Sequence, residues 1–180
     1  MLLLFATKQE ALPFIDALQL RPFEKEPFLL YHNSHFRLII SGIGRIAAAS
    51  AATYALAKER EPLVNIGYAA GQEAGIYEIK KIIDSCTHKV FHISPKTNLH
   101  QAACTTVDIP ASKPLKTLAD MEASALVEVA KRFAVPLTII KVVSDNFAPQ
   151  KCEHSHTLME KYVDKILSQL HIQLSKNFQG

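Results

Sequence analysis

The run Ala119-Asp120-Met121-Glu122-Ala123-Ser124-Ala125-Leu126 and the later Val142-Val143-Ser144-Asp145 set Glu122 and Asp145 at the edges of segments that are otherwise apolar. An ionised carboxylate at the margin of a core is costly unless something partners it, so each asks for an explanation. A third, Glu10, follows the first apolar run of the chain. Carboxylates brought together from separate segments suit proton transfer, one protonating a leaving group while another takes a proton from water. Each also has a structural role open to it. Glu10, Asp120 and Glu122 fit the first turn of a helix, where the backbone dipole favours negative charge, and Asp145 fits the start of a turn.

The elements that must position these groups follow from hydrophobic periodicity. Met1 to Ala6 reads as a buried strand, with Thr7 as cap and Lys8-Gln9-Glu10-Ala11 as the start of a helix. Phe28 to Tyr31 and Phe36 to Ile40 flank the turn-forming His32-Asn33-Ser34-His35 and predict a hairpin. Ser41-Gly42-Ile43-Gly44 leads into an alanine-rich helix, Arg45 to Lys58, suited to close packing on a sheet. Leu63 to Ile66 predicts a short strand ending in Gly67-Tyr68-Ala69-Ala70-Gly71, and Ile76 to Ile83 a further, irregular one.

Between Ser85 and Leu118 only Val90 to Ile93 and Ala102 to Ile109 stand out among prolines. A helix over Asp120 to Phe133, a strand over Leu137 to Val143 and a helix from about Ser155 to Ser175 follow, the last with Leu158, Tyr162, Ile166, Leu170 and Leu174 at helical spacing. Strands alternating with helices predict an α/β fold, a three-layer arrangement with a central mixed, mostly parallel sheet covered by helices. Glu10, Ser41 to Gly44, Gly67 to Gly71 and Asp145 then all follow strands, and a crevice at the carboxyl edge of the sheet is the expected binding site.

With 180 residues, 48% of them hydrophobic, and no break in composition, the chain predicts one domain over residues 1–180. A net charge of +3 with dispersed lysines and arginines argues against nucleic acid as a partner. No apolar stretch approaches the roughly 20 residues that span a bilayer, so no membrane is expected as a partner. Three cysteines without paired spacing, and a first apolar run too short for a signal peptide, point to the cytoplasm. Cys152-Glu153-His154-Ser155-His156 contains zinc-ligand types, but no second cluster stands at a matching spacing, and no metal or cofactor is expected. Neither glycine-bearing loop completes a dinucleotide or phosphate-binding fingerprint.

Taken together, Phe5-Ala6-Thr7-Lys8-Gln9-Glu10, Ser41-Gly42-Ile43-Gly44-Arg45-Ile46-Ala47-Ala48, Asn65-Ile66-Gly67-Tyr68-Ala69-Ala70-Gly71, Asp120-Met121-Glu122-Ala123-Ser124-Ala125 and Val143-Ser144-Asp145 resemble, in content and order, the nucleoside phosphorylase superfamily. The resemblance is strongest to its methylthioadenosine/S-adenosylhomocysteine nucleosidase branch. It covers most of residues 1–83 and 119–145.

The resemblance implies hydrolysis of the N-glycosidic bond of a purine nucleoside or 5′-modified adenosine, a part in nucleoside metabolism, and a homodimer. It makes Asp145 the acid that protonates the purine near N7, and Glu10 the residue that orients and activates water. Glu122 would hold the ribose hydroxyls and Met121 pack against the sugar. Ser41, with Gly42, and Gly67 belong to the loops lining the pocket. Lys141, placed with the substrate-binding residues, stands where the nucleosidases carry an arginine four residues before the acid, a change that matters wherever a forked donor is needed. Protonating the base makes it a competent leaving group, and nearby carboxylates stabilise an oxocarbenium-like sugar.

Phosphorylases of the superfamily commonly carry an arginine just before the glycine motif of the fourth strand, where this chain has Asn65, which favours water over phosphate as nucleophile. Family members are longer, and this chain is shortened between Ile83 and Asp120. There the family sandwiches the purine using an aromatic residue, whereas Thr105-Thr106-Val107-Asp108-Ile109-Pro110 has none after Asp108. A phosphate-dependent phosphorylase and a reduced member that binds nucleosides without turnover remain the alternatives.

Overall fold

A computed structural model describes residues 1–148 and 156–177. Among them, ten strands form one sheet, accompanied by four helices. The chain opens with β1 (Leu2–Phe5), α1 (Lys8–Ala17), β2 (Arg21–Glu24), β3 (Leu29–His32), β4 (Arg37–Ile40), α2 (Arg45–Lys58) and β5 (Leu63–Ala70). It continues with β6 (Ile76–Asp84), β7 (Val90–His92), β8 (His100–Thr106), β9 (Leu118–Asp120), α3 (Ala123–Phe133), β10 (Leu137–Asp145) and α4 (His156–Asn177).

The sheet runs β10-β6-β8-β9-β5-β1-β4-β3-β2, with β7 on β6, and it closes because β10 also pairs with β5. The fold is mixed α/β with helices on both faces, as expected. Two features of the expected sheet are corrected. In place of an open central layer, β5, β10, β6, β8 and β9 form a closed ring from which β1, β4, β3 and β2 extend. The pairings are not mostly parallel but divide evenly between parallel and antiparallel. Closure removes two edges that would otherwise expose unpaired backbone groups.

Two apolar clusters hold the helices to the sheet. On one side Ala48, Ala51, Ala52 and Ala55 of α2 and Leu126, Val127 and Ala130 of α3 pack on Leu2, Leu4, Leu63 and Ile139. The small α2 face lets the helix lie close, as its alanines predicted. On the other side Ala11 and Phe14 of α1 meet Met159, Ile166 and Leu170 of α4 over Leu3, Val64 and Ile140. Covered on both faces, β5 is buried along nearly its whole length.

Several boundaries differ from the sequence reading. β5 continues past Ile66 to Ala70, because Gly67 lies inside the strand and is followed by residues that still pair with β10. β10 likewise runs on to Asp145. Helix α3 starts at Ala123, not at Asp120: Asp120 ends β9, and Glu122 is the N-cap residue but makes no capping bond with its side chain. Strand β2, at the sheet's far edge, has no counterpart in the sequence reading. No helix among the described residues is long and apolar enough to cross a membrane. The Cys152-Glu153-His154-Ser155 stretch lies outside the described residues.

Candidate active site

Glu10 enters the site through the start of α1. Thr7 caps the helix, and Glu10 at the third helical position completes a capping box. Its Oε2 accepts from the Thr7 backbone N–H at 2.8 Å and from Thr7 Oγ1 at 2.9 Å. Its Oε1 accepts from the Tyr68 N–H at 2.9 Å, tying the start of α1 to β5. The structural role is therefore real, and it also aims the group: Glu10 is 5% exposed and lines a cavity. A carboxylate offers about four acceptor positions, so three donors leave room for a water.

Gly67 makes this arrangement possible. A Cβ built there would stand 3.1 Å from Glu10 Oε1 and 3.7 Å from Lys141 Nζ, so a side chain would crowd both groups. Gly67 itself lies behind the carboxylate and is not among the cavity-lining residues.

The turn from β9 into α3 supplies Asp120, Met121 and Glu122. Asp120 caps α3 in place of Glu122, its Oδ2 accepting from the N–H groups of Ala123 at 2.8 Å and Glu122 at 3.3 Å, while Oδ1 accepts from Thr106 Oγ1 at 2.8 Å. Relieved of capping, Glu122 reaches across to the other helix start, where its Oε1 accepts from the Gly44 N–H at 2.9 Å. Gly44 has φ of 99°, a left-handed conformation that glycine adopts without strain, and this turns its N–H toward Glu122.

Beneath these carboxylates lies Lys141, 1% exposed, its Nζ 2.9 Å from Asp120 Oδ2 and 3.7 Å from Glu122 Oε2. Burial alone would lower the pKa of this ammonium, but the two carboxylates reverse that and raise it. Burial also works against ionised Asp120, yet Lys141 and the hydrogen bonds from Thr106 and Ala123 hold its carboxyl below the usual range. Glu122 goes the other way. Burial raises its pKa, Asp120 and Glu10 add repulsion, and the more distant Lys141 only partly offsets them.

Asp145 arrives by a bulge. Between β10 and β5 the register shifts so that Val143 faces Ala69 and Asp145 faces Ala70, leaving Ser144 as the extra residue. Bulges re-aim side chains near functional sites, and here both Ser144 and Asp145 line the cavity. Asp145 Oδ1 accepts from the Ala148 N–H at 3.0 Å, the turn-forming role open to it from sequence, and Oδ2 accepts from Ser144 Oγ at 3.1 Å. Asp145 is half-buried, less enclosed than the strand end suggested.

Glu10, Met121, Glu122 and Asp145 thus share one cavity of about 380 Å³, closed in part by Tyr68 of β5 and Ile43 after β4. Strand ends β1, β4, β5 and β10 converge there as the topology predicted. Ser41, Gly42 and Lys141 are not among the lining residues. The Ser41 hydroxyl is turned to the backbone, donating to Gly42 O at 2.7 Å, with Phe5 O as the alternative acceptor at 3.3 Å. Lys141 acts on the site from below, through Asp120 and Glu122.

The weakly patterned middle of the chain also contributes: Val107, Pro110 and Ala111, after β8, form one wall. From sequence, Thr7 is a helix cap and Tyr68 part of the Gly67 to Gly71 loop, and the family resemblance sets Val107 and Pro110 in the segment facing the base; nothing singles out Ala111. Hydrophobic periodicity does not mark the wall; the resemblance alone points to it.

No protein-family model matches the sequence, and no curated protein sequence matches it at a significant level. Solved structures match in three dimensions. The apo structure of 5′-methylthioadenosine nucleosidase from Arabidopsis thaliana aligns at TM-score 0.84 and 16% identity over 95% of this chain and 94% of that one. A 5′-methylthioadenosine/S-adenosylhomocysteine nucleosidase from Colwellia psychrerythraea in complex with adenine gives 0.77 and 17% over 94% of each chain. A mutant futalosine hydrolase from Helicobacter pylori gives 0.76 and 12% over 93% of this chain and 98% of that one. The resemblance carried by the five sequence segments therefore extends to the whole described architecture, and the chain has the fold of the methylthioadenosine/S-adenosylhomocysteine nucleosidases.

Proposed function

We propose that the protein hydrolyses the N-glycosidic bond of a purine nucleoside or 5′-modified adenosine. The observation that carries this reading is the charge of the cavity: Glu10, Glu122 and Asp145 line it beside Asp120, which Lys141 pairs from below, and among the described residues no lysine, arginine or histidine lines it. A site of that sign favours a cationic, oxocarbenium-like sugar and disfavours phosphate as co-substrate. Asn65, in the place of the phosphorylase arginine, is 1% exposed and directs its amide to Leu4 O at 3.2 Å.

In this reading Asp145 protonates the base nitrogen as the C1′–N9 bond breaks, and Glu10 takes a proton from the water whose oxygen bonds to C1′. Glu122 accepts ribose hydroxyls, held by Gly44, and Met121 packs against the sugar. Lys141 fixes the charge of the Asp120–Glu122 pair without touching substrate. The neighbouring structures support this reading by fold, and the adenine complex among them supports a purine-sized ligand.

The test is incubation with methylthioadenosine, S-adenosylhomocysteine, inosine and futalosine, with and without phosphate, following base release by chromatography. Release without phosphate is expected. No release from any of them overturns the proposal, and strict phosphate dependence replaces hydrolysis with phosphorolysis.

A further inference from the structure

Outside the acid–base groups, an extensive polar cluster among the described residues centres on Arg45, at the start of α2. Its Nη1 pairs with Asp84 Oδ2 at 2.6 Å, and its Nη2 with Asp108 Oδ1 at 2.6 Å. Asp84 is a fixed anchor at the end of β6. Its Oδ2 accepts from Ser124 Oγ of α3 at 2.7 Å, and its Oδ1 from the Thr87 N–H at 2.8 Å and the Cys86 N–H at 3.1 Å. Asp108 differs in kind, with a side chain 62% exposed and a place on the loop after β8. The Cys86 thiol donates to the second oxygen of Asp108 at 2.8 Å.

Asp108 lies between residues that wall the cavity. Val107 precedes it, with its N–H held by Asp120 O at 2.8 Å, and Pro110 and Ala111 follow it. Arg45 therefore joins a rigid point, Asp84 with α3, to the one charged residue of that wall segment. Ile109, 75% exposed, contributes no buried anchor of its own.

We propose that Arg45 is a positioning residue, and that the Asp108–Arg45 pair is the clasp that holds the Val107–Ala111 wall against the bound nucleoside. The proposal rests on the nucleosidase reading for its ligand, while the clasp itself is a property of the fold. A wall held by an exposed charge pair, in place of an apolar anchor, sets substrate affinity and leaves the acid and the water-activating group untouched.

The variant of choice is Asp108→Ala, because Arg45 then keeps Asp84, whereas substitution of Arg45 would also strand a buried carboxylate. KM for methylthioadenosine is expected to rise about fivefold, the worth of an ion pair near 1 kcal/mol, with kcat within about twofold of wild type. Raising salt should weaken wild type in the same way and leave D108A indifferent. Lys89→Ala, which breaks the exposed Lys89–Glu128 pair, serves as the control and should change neither constant. An unchanged KM in D108A, or a fall in kcat larger than the rise in KM, overturns the proposal. A wild-type protein that cleaves none of the nucleosides defeats the functional reading alone. The clasp is then decided by amide hydrogen exchange, which D108A should accelerate across residues 107–111 and not in α2; equal exchange in the two proteins sinks it.

Discussion

Lys141 Nζ lies 2.9 Å from Asp120 Oδ2 with both side chains at most 1% exposed, a buried ion pair that joins the cavity floor at Asp120 to the interior beneath it. Removing one member of such a pair leaves an uncompensated charge in the interior, whereas removing both does not. Lys141→Met is expected to cost about 3–5 kcal/mol in urea unfolding, and Asp120→Asn combined with Lys141→Met to restore a large part of it. A double variant no more stable than K141M would show that the pair is not coupled.

Gly67 and Glu10 are linked by the close approach that only a missing side chain permits. Because three donors clamp the Glu10 carboxylate, it cannot withdraw freely from a new methyl group. Gly67→Ala should lower kcat by on the order of tenfold, the cost of a displacement of a few tenths of an ångström in a reacting group, while unfolding shifts little. Full activity in G67A would mean that the position of Glu10 is unimportant.

Glu122 gives a pH dependence of defined sign. Its carboxyl is held above the ordinary value of 4.5, first by burial and then by the neighbouring negative charges, against the pull of Lys141. A group that binds its proton more tightly when folded stabilises the fold below its unfolded value, and that contribution is lost as pH rises through the folded one. The stability of Glu122→Gln relative to wild type should therefore improve as pH rises above about 4.5. Urea titrations from pH 4 to 8 read this directly, and a constant or opposite difference would contradict it.

Asp145→Asn preserves the acceptor that Ala148 uses and removes the transferable proton. Turnover of a nucleoside should fall by roughly 10²- to 10⁴-fold, the range for loss of a general acid, with KM changed far less. Parallel losses in both constants would point to a structural role for the turn.

Much of this arrangement was legible in local sequence. The Thr7–Glu10 capping box, the alanine-rich α2 and the glycine turn before it depend on interactions within a few residues, which composition and spacing report. The order of the five quoted segments carried the fold, strand ends marked where Glu10 and Asp145 would meet, and the resemblance added Glu122. What the tertiary structure decided lies in contacts between distant segments. Pairing of β10 with β5 closes the sheet, and the bulge at Ser144 turns Asp145 to the cavity. Lys141, read as touching substrate, instead neutralises Asp120, because the ring of strands turns both into one interior. The wall at Val107, Pro110 and Ala111 has no periodicity to announce it. Its place depends on Arg45, 63 positions from Asp108, and a charge pair that far apart in the chain leaves no trace in local patterning.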